Sequence, residues 1–422
     1  MSAVTGRPFA YHDGVLCAGG VALDRLSRRY GTPLYVYDLE EIRGAYAAYQ
    51  TAFAAVPHRL CAAVKANANL TLLRHLARWG SGFDVVSGGE LERVLHAGGQ
   101  ADRIVFSGVG KTAAEMDAAL RAGILLFNVE SEPELELLAS RAARLRVQAR
   151  YGLRVNPDIA AATHPHIATG LRQHKFGVSL DEARKLYAGY QSRWLRPSGI
   201  SCHIGSQILD AAPFAEAARR LAGLVGELER RHAGLHLRFV DLGGGLGIRY
   251  RPGQRPPSLR RYAAAVLAGL RQAGLEQGRE LLLEPGRSLF AAAGALLTQV
   301  LYVKSAARRF VITDAGSNDL MRPSLYDAYH EIVAVRPRAG RRRGVDIVGP
   351  ICESGDSFAR DRPLTPVAAG DVLAILDAGA YGFTLSSNYN ARPRAAEVVI
   401  AGGRAHLARR REAVADLWAA EV

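Results

Sequence analysis

One alternation constrains the fold of this chain more than any other feature. Short β-branched or apolar runs, separated by helical patterns or helix start signals, recur eight times over about 230 residues. The runs are Leu60–Lys65, Phe83–Ser87, Arg103–Ser107, Ile124–Val129, Arg150–Asn156, Gly199–His203, Leu237–Leu242 and Leu281–Glu284. Amphipathic stretches carrying Leu72, Leu73 and Leu76, then Leu91, Val94 and Leu95, follow the first two, and long helical patterns at Asp181–Tyr190, Pro213–His232 and Leu259–Gln277 lie between the later ones. Thr112-Ala-Ala-Glu115 and Ser131-Glu-Pro-Glu134 have the form of capping boxes that open helices. Parallel strands buried on both faces read as near-continuous apolar runs, as these do. The number and spacing of units predict a TIM-type (β/α)8 barrel of the α/β class, in preference to a doubly wound sheet.

Beyond Glu284 the pattern changes. Val300–Val303, Phe310–Thr313, Glu331–Val335, Val345–Gly349, Asp371–Leu376 and Ala396–Ile400 read as strands between glycine and proline turns, which predicts a β-rich C-terminal domain. Tyr11–Cys17 is also strand-like. The expected organisation is an N-terminal segment, 1–30, packing with the β-domain, a barrel over 31–285 and the β-domain over 286–422.

Composition narrows the function classes. With 49% hydrophobic and 22% charged residues, the chain can bury large cores. Its longest uncharged apolar run, Leu289–Leu297, is far short of a membrane span, and no basic-then-apolar leader opens the chain. The four cysteines, Cys17, Cys61, Cys202 and Cys352, are widely spaced, so neither a disulfide framework nor a metal site is expected, and a reducing cytoplasm fits. The net charge of +14 is a general arginine bias, with only five lysines in the chain. No recognition motif accompanies it, so neither nucleic acid nor membrane is an expected partner.

Polar residues stand at essentially all eight run ends: Lys65, Asp84 and Ser87, Ser107, Asn128 and Glu130, Asn156, His203, Asp241 and Glu284. Active sites of barrels form at that face. Singly, each has a plainer explanation: a strand-end lysine pointing to water, a tight glycine turn, a structural histidine. Together they match one cofactor. Lys65, half-buried by apolar neighbours, suits a Schiff base with an aldehyde. Asp241-Leu-Gly-Gly-Gly-Leu-Gly247 can turn consecutive N–H groups toward a phosphate. Glu284 can hold a protonated heterocyclic nitrogen, Arg287 an anion, and His203 can stack on a ring or move a proton. These are the needs of pyridoxal 5′-phosphate, whose protonated ring is an electron sink.

The motifs, in order along nearly the whole chain, are Ala63-Val-Lys-Ala-Asn67, Phe83-Asp-Val-Val-Ser-Gly-Gly-Glu90, Arg154-Val-Asn-Pro-Asp158, His164-Pro-His-Ile-Ala-Thr-Gly170, Lys175-Phe-Gly177 and His203-Ile-Gly-Ser-Gln207. They continue with Glu284-Pro-Gly-Arg287, Asp319-Leu-Met-Arg-Pro323, Leu325-Tyr-Asp-Ala-Tyr-His-Glu331, Cys352-Glu-Ser-Gly-Asp356, Gly379-Ala-Tyr-Gly-Phe383, Ser386-Ser-Asn-Tyr-Asn390 and Arg392-Pro-Arg394. In these the chain resembles the diaminopimelate decarboxylases, fold-type III pyridoxal-phosphate-dependent enzymes. The resemblance implies decarboxylation of meso-2,6-diaminopimelate to L-lysine and CO2. It implies that Lys65 carries the cofactor, that His203 stacks on it and serves catalysis, and that Ser206, Gly243, Gly244 and Gly245 bind its phosphate. Glu284 would hold the pyridine nitrogen, and Gly286, Arg287 and Tyr381 would complete the cofactor site. Arg287, Arg322 and Tyr326 would hold substrate carboxylates, Glu353 the distal ammonium, and Tyr381 would touch substrate as well. Cys352 would return the proton to Cα. Cys352 and Glu353 would come from the second subunit, which implies a homodimer with shared active sites.

Ser317 and Ser357-Phe358 depart from the usual family residues without removing a functional group. A same-fold decarboxylase of ornithine, arginine or a D-amino acid is the near alternative, but its substrate has no second carboxylate for Arg322. A racemase would give Cys352-Glu-Ser-Gly-Asp356 no role. A non-catalytic pyridoxal-phosphate-binding regulator is the alternative from another class. A carrier would have no β-domain, and an inhibitor would be expected to lack Lys65 or Cys352.

Overall fold

The computed structural model describes residues 8–159, 175–189, 192–275 and 278–422. The motif His164–Gly170 lies outside the described residues, as do Tyr190 and Gln277 at the expected helix ends. The chain divides into two compact units.

The first unit, Tyr46–Ile248 with Arg255–Gly286, is the barrel. Its strands are His58–Ala63, Gly82–Val85, Ile104–Phe106, Leu126–Val129, Ala149–Arg154, Leu195–Ser201, Phe239–Asp241 and Glu280–Leu283. Each pairs in parallel with the next, and the last pairs with the first to close the cylinder. Buried Cys61, Val105, Leu125, Leu126, Phe239 and Leu282 form one apolar cluster, so this is a packed core and not a channel. Side-chain caps hold the turns between strand ends and helices. Asn69, Ser87, Thr112, Ser131 and Ser258 each accept a backbone N–H from the first turn of the helix they open, each worth about 1 kcal/mol. Thr112 and Glu115 form the full reciprocal box. Ser131 and Glu134 form only half of one: the Glu134 carboxylate accepts instead from the Glu130 N–H and from buried Lys111.

The second unit comprises the described residues up to Ala45, Arg249–Gln254 and Arg287–Val422. A nine-stranded sheet runs Ser357–Leu364, Arg343–Val348, Arg309–Thr313, Gly294–Ser305, Leu34–Asp38, Ala396–Ala401 and Arg404–Arg409, with Val372–Ile375 and Ile332–Ala334 joined beside it. All six expected C-terminal strands are present within a few residues. Leu289–Leu297 is split between a short helix, Arg287–Phe290, and the long strand Gly294–Ser305. The N-terminal meander, Phe9–His12, Val15–Ala18 and Val21–Ala22, and the helix Leu23–Tyr30 that follows it bury Phe9, Leu16 and Leu23 in one cluster with Val36, Leu297, Leu376 and Val398.

The expected barrel boundary at residue 31 needs correction. Leu34–Asp38 pairs with Gly294–Leu297 on one side and Ala396–Ile400 on the other, so residues 31–45 belong with the β-rich unit. Ser357–Leu364 and Arg404–Arg409 were not anticipated. Both are charge-rich edge strands, and the first carries Pro363, so neither reads as an apolar run. Among the described residues, no helix is long and apolar enough to cross a membrane.

Candidate active site

Lys65 stands two residues beyond its strand, in a single 3-10 turn, Val64–Ala66, and not at the strand end as expected. Its Nζ donates to Asp84 Oδ2 at 2.5 Å. The Asp84 side chain is fully buried, whereas that of Lys65 stays about one-third exposed. Lys65 lines a barrel cavity of about 410 Å³ together with Ser107, Asn128, Arg154, Ser201, His203 and Glu284.

His203 follows the strand Leu195–Ser201, and its Nδ1 accepts the Gly244 N–H at 3.1 Å. Burial first, then the charges of Arg154 and Lys65, push its pKa well below the usual histidine value, so the ring is neutral. Gly243 donates to Asp241 at 2.9 Å. Two of the three N–H groups expected to face a phosphate are therefore committed within the barrel. The glycines serve a second purpose, close approach: a Cβ on Gly244 would fall 2.3 Å from the Glu284 carbonyl, and Gly243 takes φ +63°. Ser206 follows Gly205, whose carbonyl packs equally tightly on Gly245.

Glu284 sits among like charges. Burial, then the carboxylates of Asp241 and Asp84, push its pKa well above the usual carboxyl value, with Lys65 opposing. Asp241 is in turn anchored by Asn128 Nδ2 at 3.0 Å.

The β-rich unit holds a separate group. Arg287 and Arg322 both donate to the hydroxyl of Tyr250, at 2.9 and 2.6 Å. Tyr381, at φ +56°, lies 5.0 Å from the Arg287 guanidinium carbon, and Tyr326 ends the short helix Arg322–Tyr326. Cys352 and Glu353 are exposed on a turn held by Asp356, which accepts from the N–H groups of Ile351 and Ser317 at 2.7 Å each.

Residues 39–291 match the pyridoxal-binding domain of the pyridoxal-dependent decarboxylases. The chain is 52% identical to diaminopimelate decarboxylase of Pseudomonas aeruginosa over 417 residues, 98% of each chain. It is also similar to solved structures. One is diaminopimelate decarboxylase from Helicobacter pylori complexed with L-lysine, at 43% identity and TM-score 0.90, covering 94% of this chain and 99% of that one. Another is the M. jannaschii enzyme in complex with L-lysine, at 39% identity and TM-score 0.93, covering 98% and 97%. The chain belongs to the diaminopimelate decarboxylase family.

This diaminopimelate decarboxylase family member is a pyridoxal-phosphate-dependent lyase, and the barrel's donor set fits that cofactor. Asp84 Oδ1, Asn128 Oδ1 and Ser201 Oγ are buried around the Lys65 cavity without a hydrogen-bond partner among the described residues. Buried polar atoms of this kind are costly unless a ligand or water satisfies them. Glu284, disfavoured as an anion beside two carboxylates, would gain a compensating cation from a protonated pyridine nitrogen.

Sequence reasoning assigned no role to Asp84, Arg154 or Tyr250 in this family member. Asp84 and Arg154 carried a signal, as a polar strand end and part of a motif. Arg154 pairs with Glu130 at 2.9 Å, and Glu130 also accepts from the Gly108 and Gly177 N–H groups, which ties three loops at the cavity. Tyr250 stands in an arginine- and proline-rich stretch and carried no signal.

Proposed function

We propose that this chain decarboxylates meso-2,6-diaminopimelate to L-lysine and CO2, the last step of lysine biosynthesis, as a cytoplasmic homodimer. The observation that carries the reading is the convergence of Lys65, His203 and Glu284 on one barrel cavity. Pyridoxal phosphate, when bound, supplies the sink for the electrons released at Cα.

The chain's own residues do the rest. Lys65 Nζ holds the cofactor, with Asp84 orienting the amine. Glu284 keeps the ring nitrogen protonated. His203 offers a flat neutral ring, which suits stacking better than proton donation. Ser206, Gly286 and Gly245 hold the phosphate, with Gly243 and Gly244 shaping the loop around it through their bonds to Asp241 and His203, and Tyr381 contacts both cofactor and substrate. Arg287, Arg322 and Tyr326 hold a substrate carboxylate, and Glu353 the distal ammonium. The Cys352 thiol gives its proton to Cα after CO2 leaves, and water restores it. Cys352 and Glu353 serve the partner's site, a role their exposure on a firmly held turn suits. The four free cysteines suit a reducing compartment.

A substrate panel with CO2 detection tests the reading. meso-Diaminopimelate should be turned over fastest; faster release from ornithine or arginine would overturn it.

A further inference from the structure

We propose that Tyr250 is a positioning residue that joins Arg287 and Arg322 into one clamp for a single substrate carboxylate, and so sets the preference for a two-headed amino acid. The inference rests on the function proposed above, which it deepens.

The case is geometric and lies wholly within the β-rich unit. One hydroxyl oxygen accepts from Arg287 Nη1 at 2.9 Å and from Arg322 Nη1 at 2.6 Å. The guanidinium carbons lie 5.7 and 4.8 Å from the same phenol ring. All three residues are buried. Among the described residues, Arg322 has no carboxylate partner. Two buried guanidiniums that share one neutral oxygen repel one another, and an anion seated between them offsets that repulsion. A carboxylate is that anion, because its two oxygens match the donor forks of two adjacent guanidiniums.

The tyrosine is itself held in place. Its ring packs edge-on to His330 at 5.4 Å, and His330 Nδ1 is bonded to the Leu376 carbonyl at 2.8 Å. Burial would push the Tyr250 hydroxyl up, but Arg287 and Arg322 outweigh it and hold the hydroxyl below the usual phenol value. That direction reports a strongly positive field at the oxygen, as a carboxylate site needs. Without the hydroxyl the two cations lose their shared acceptor and would separate.

Tyr250→Phe keeps the ring and removes the acceptor. The test compares meso-diaminopimelate with D-lysine as decarboxylation substrates: the L-lysine product keeps the unreacted head and its carboxylate, whereas D-lysine presents the reacting head without the second carboxylate. For the variant, kcat/KM toward meso-diaminopimelate should fall about 10- to 100-fold, mainly through KM, with kcat within about 3-fold. Activity toward D-lysine and the cofactor's visible absorbance should be unchanged. In an Arg322→Ala background the same substitution should add little. Equal loss on both substrates, or no loss on either, would overturn the proposal while leaving the functional reading intact. A wild-type enzyme that prefers D-lysine would overturn both. Should the Phe variant fail to fold, 3-fluorotyrosine at position 250 gives the same comparison with a weaker acceptor.

Discussion

Lys65 Nζ lies 2.5 Å from Asp84 Oδ2, and the partner carboxylate is entirely buried while its other oxygen has no hydrogen-bond partner among the described residues. The pair holds the partly exposed lysine at the cavity. Asp84→Asn should therefore slow cofactor loading and lower kcat/KM by about 10- to 100-fold, the cost of losing one charge-assisted hydrogen bond. Stopped-flow absorbance on adding pyridoxal phosphate to stripped enzyme measures the first effect. Lys65→Ala should abolish covalent capture of the cofactor by borohydride; capture in that variant would remove Lys65 from its role.

Glu284→Gln should separate stability from activity. In the cofactor-free barrel the Glu284 pKa is raised, so the folded state holds the proton more tightly than the unfolded chain. Its stabilising contribution is complete below the unfolded carboxyl value of about 4.3 and is lost as pH rises through the folded value. The glutamine variant stays neutral throughout. Stripped variant should melt a few degrees above stripped wild type at pH 8, with the difference vanishing toward pH 4. Its turnover should fall at least about 100-fold, because the ring nitrogen loses its carboxylate. Thermal melts across pH and a CO2 assay check both halves.

Cys352 is the exposed thiol, whereas Cys17, Cys61 and Cys202 are buried. Iodoacetamide should label Cys352 first and stop turnover without bleaching the cofactor. Cys352→Ala should reproduce that loss, at about 100-fold or more in kcat. Peptide mapping of the alkylated protein identifies the site, and unchanged turnover would assign the proton donor elsewhere.

The proposed sharing of sites between two subunits makes a mixing prediction. Lys65→Ala and Cys352→Ala should each be inactive alone. Unfolded together and refolded, they should recover about a quarter of wild-type activity, because each mixed dimer contains one intact site. No recovery would mean that Cys352 serves its own chain.

His203 should not titrate in the assay range. Burial keeps its ring neutral, so an acidic limb near pH 6 in kcat/KM should keep its position in His203→Gln even as the rate falls. A limb that moved with this substitution would restore His203 as an acid.

Much of the barrel was legible because its signals are local. The apolar runs at Leu60–Lys65 and Leu281–Glu284 and the caps at Thr112 and Ser131 each depend on neighbours a few residues away. That Lys65, His203 and Glu284 line one cavity was legible for the same reason: each stands just beyond the end of a parallel strand, and all such ends share one face. Leu34–Asp38 was assigned to the wrong unit because a strand's own residues do not name its partners. Here the partners lie at Gly294–Leu297 and Ala396–Ile400.

The residues themselves determined that this chain closes a barrel, where its polar strand ends gather and which lysine stands at the mouth of the cavity. Only the tertiary structure decided that Lys65 leans on Asp84, that Glu284 is crowded by two carboxylates and that Tyr250 holds Arg322 across 72 residues. Those contacts join segments far apart in the chain, and their strength comes from burial, which periodicity and spacing do not encode residue by residue.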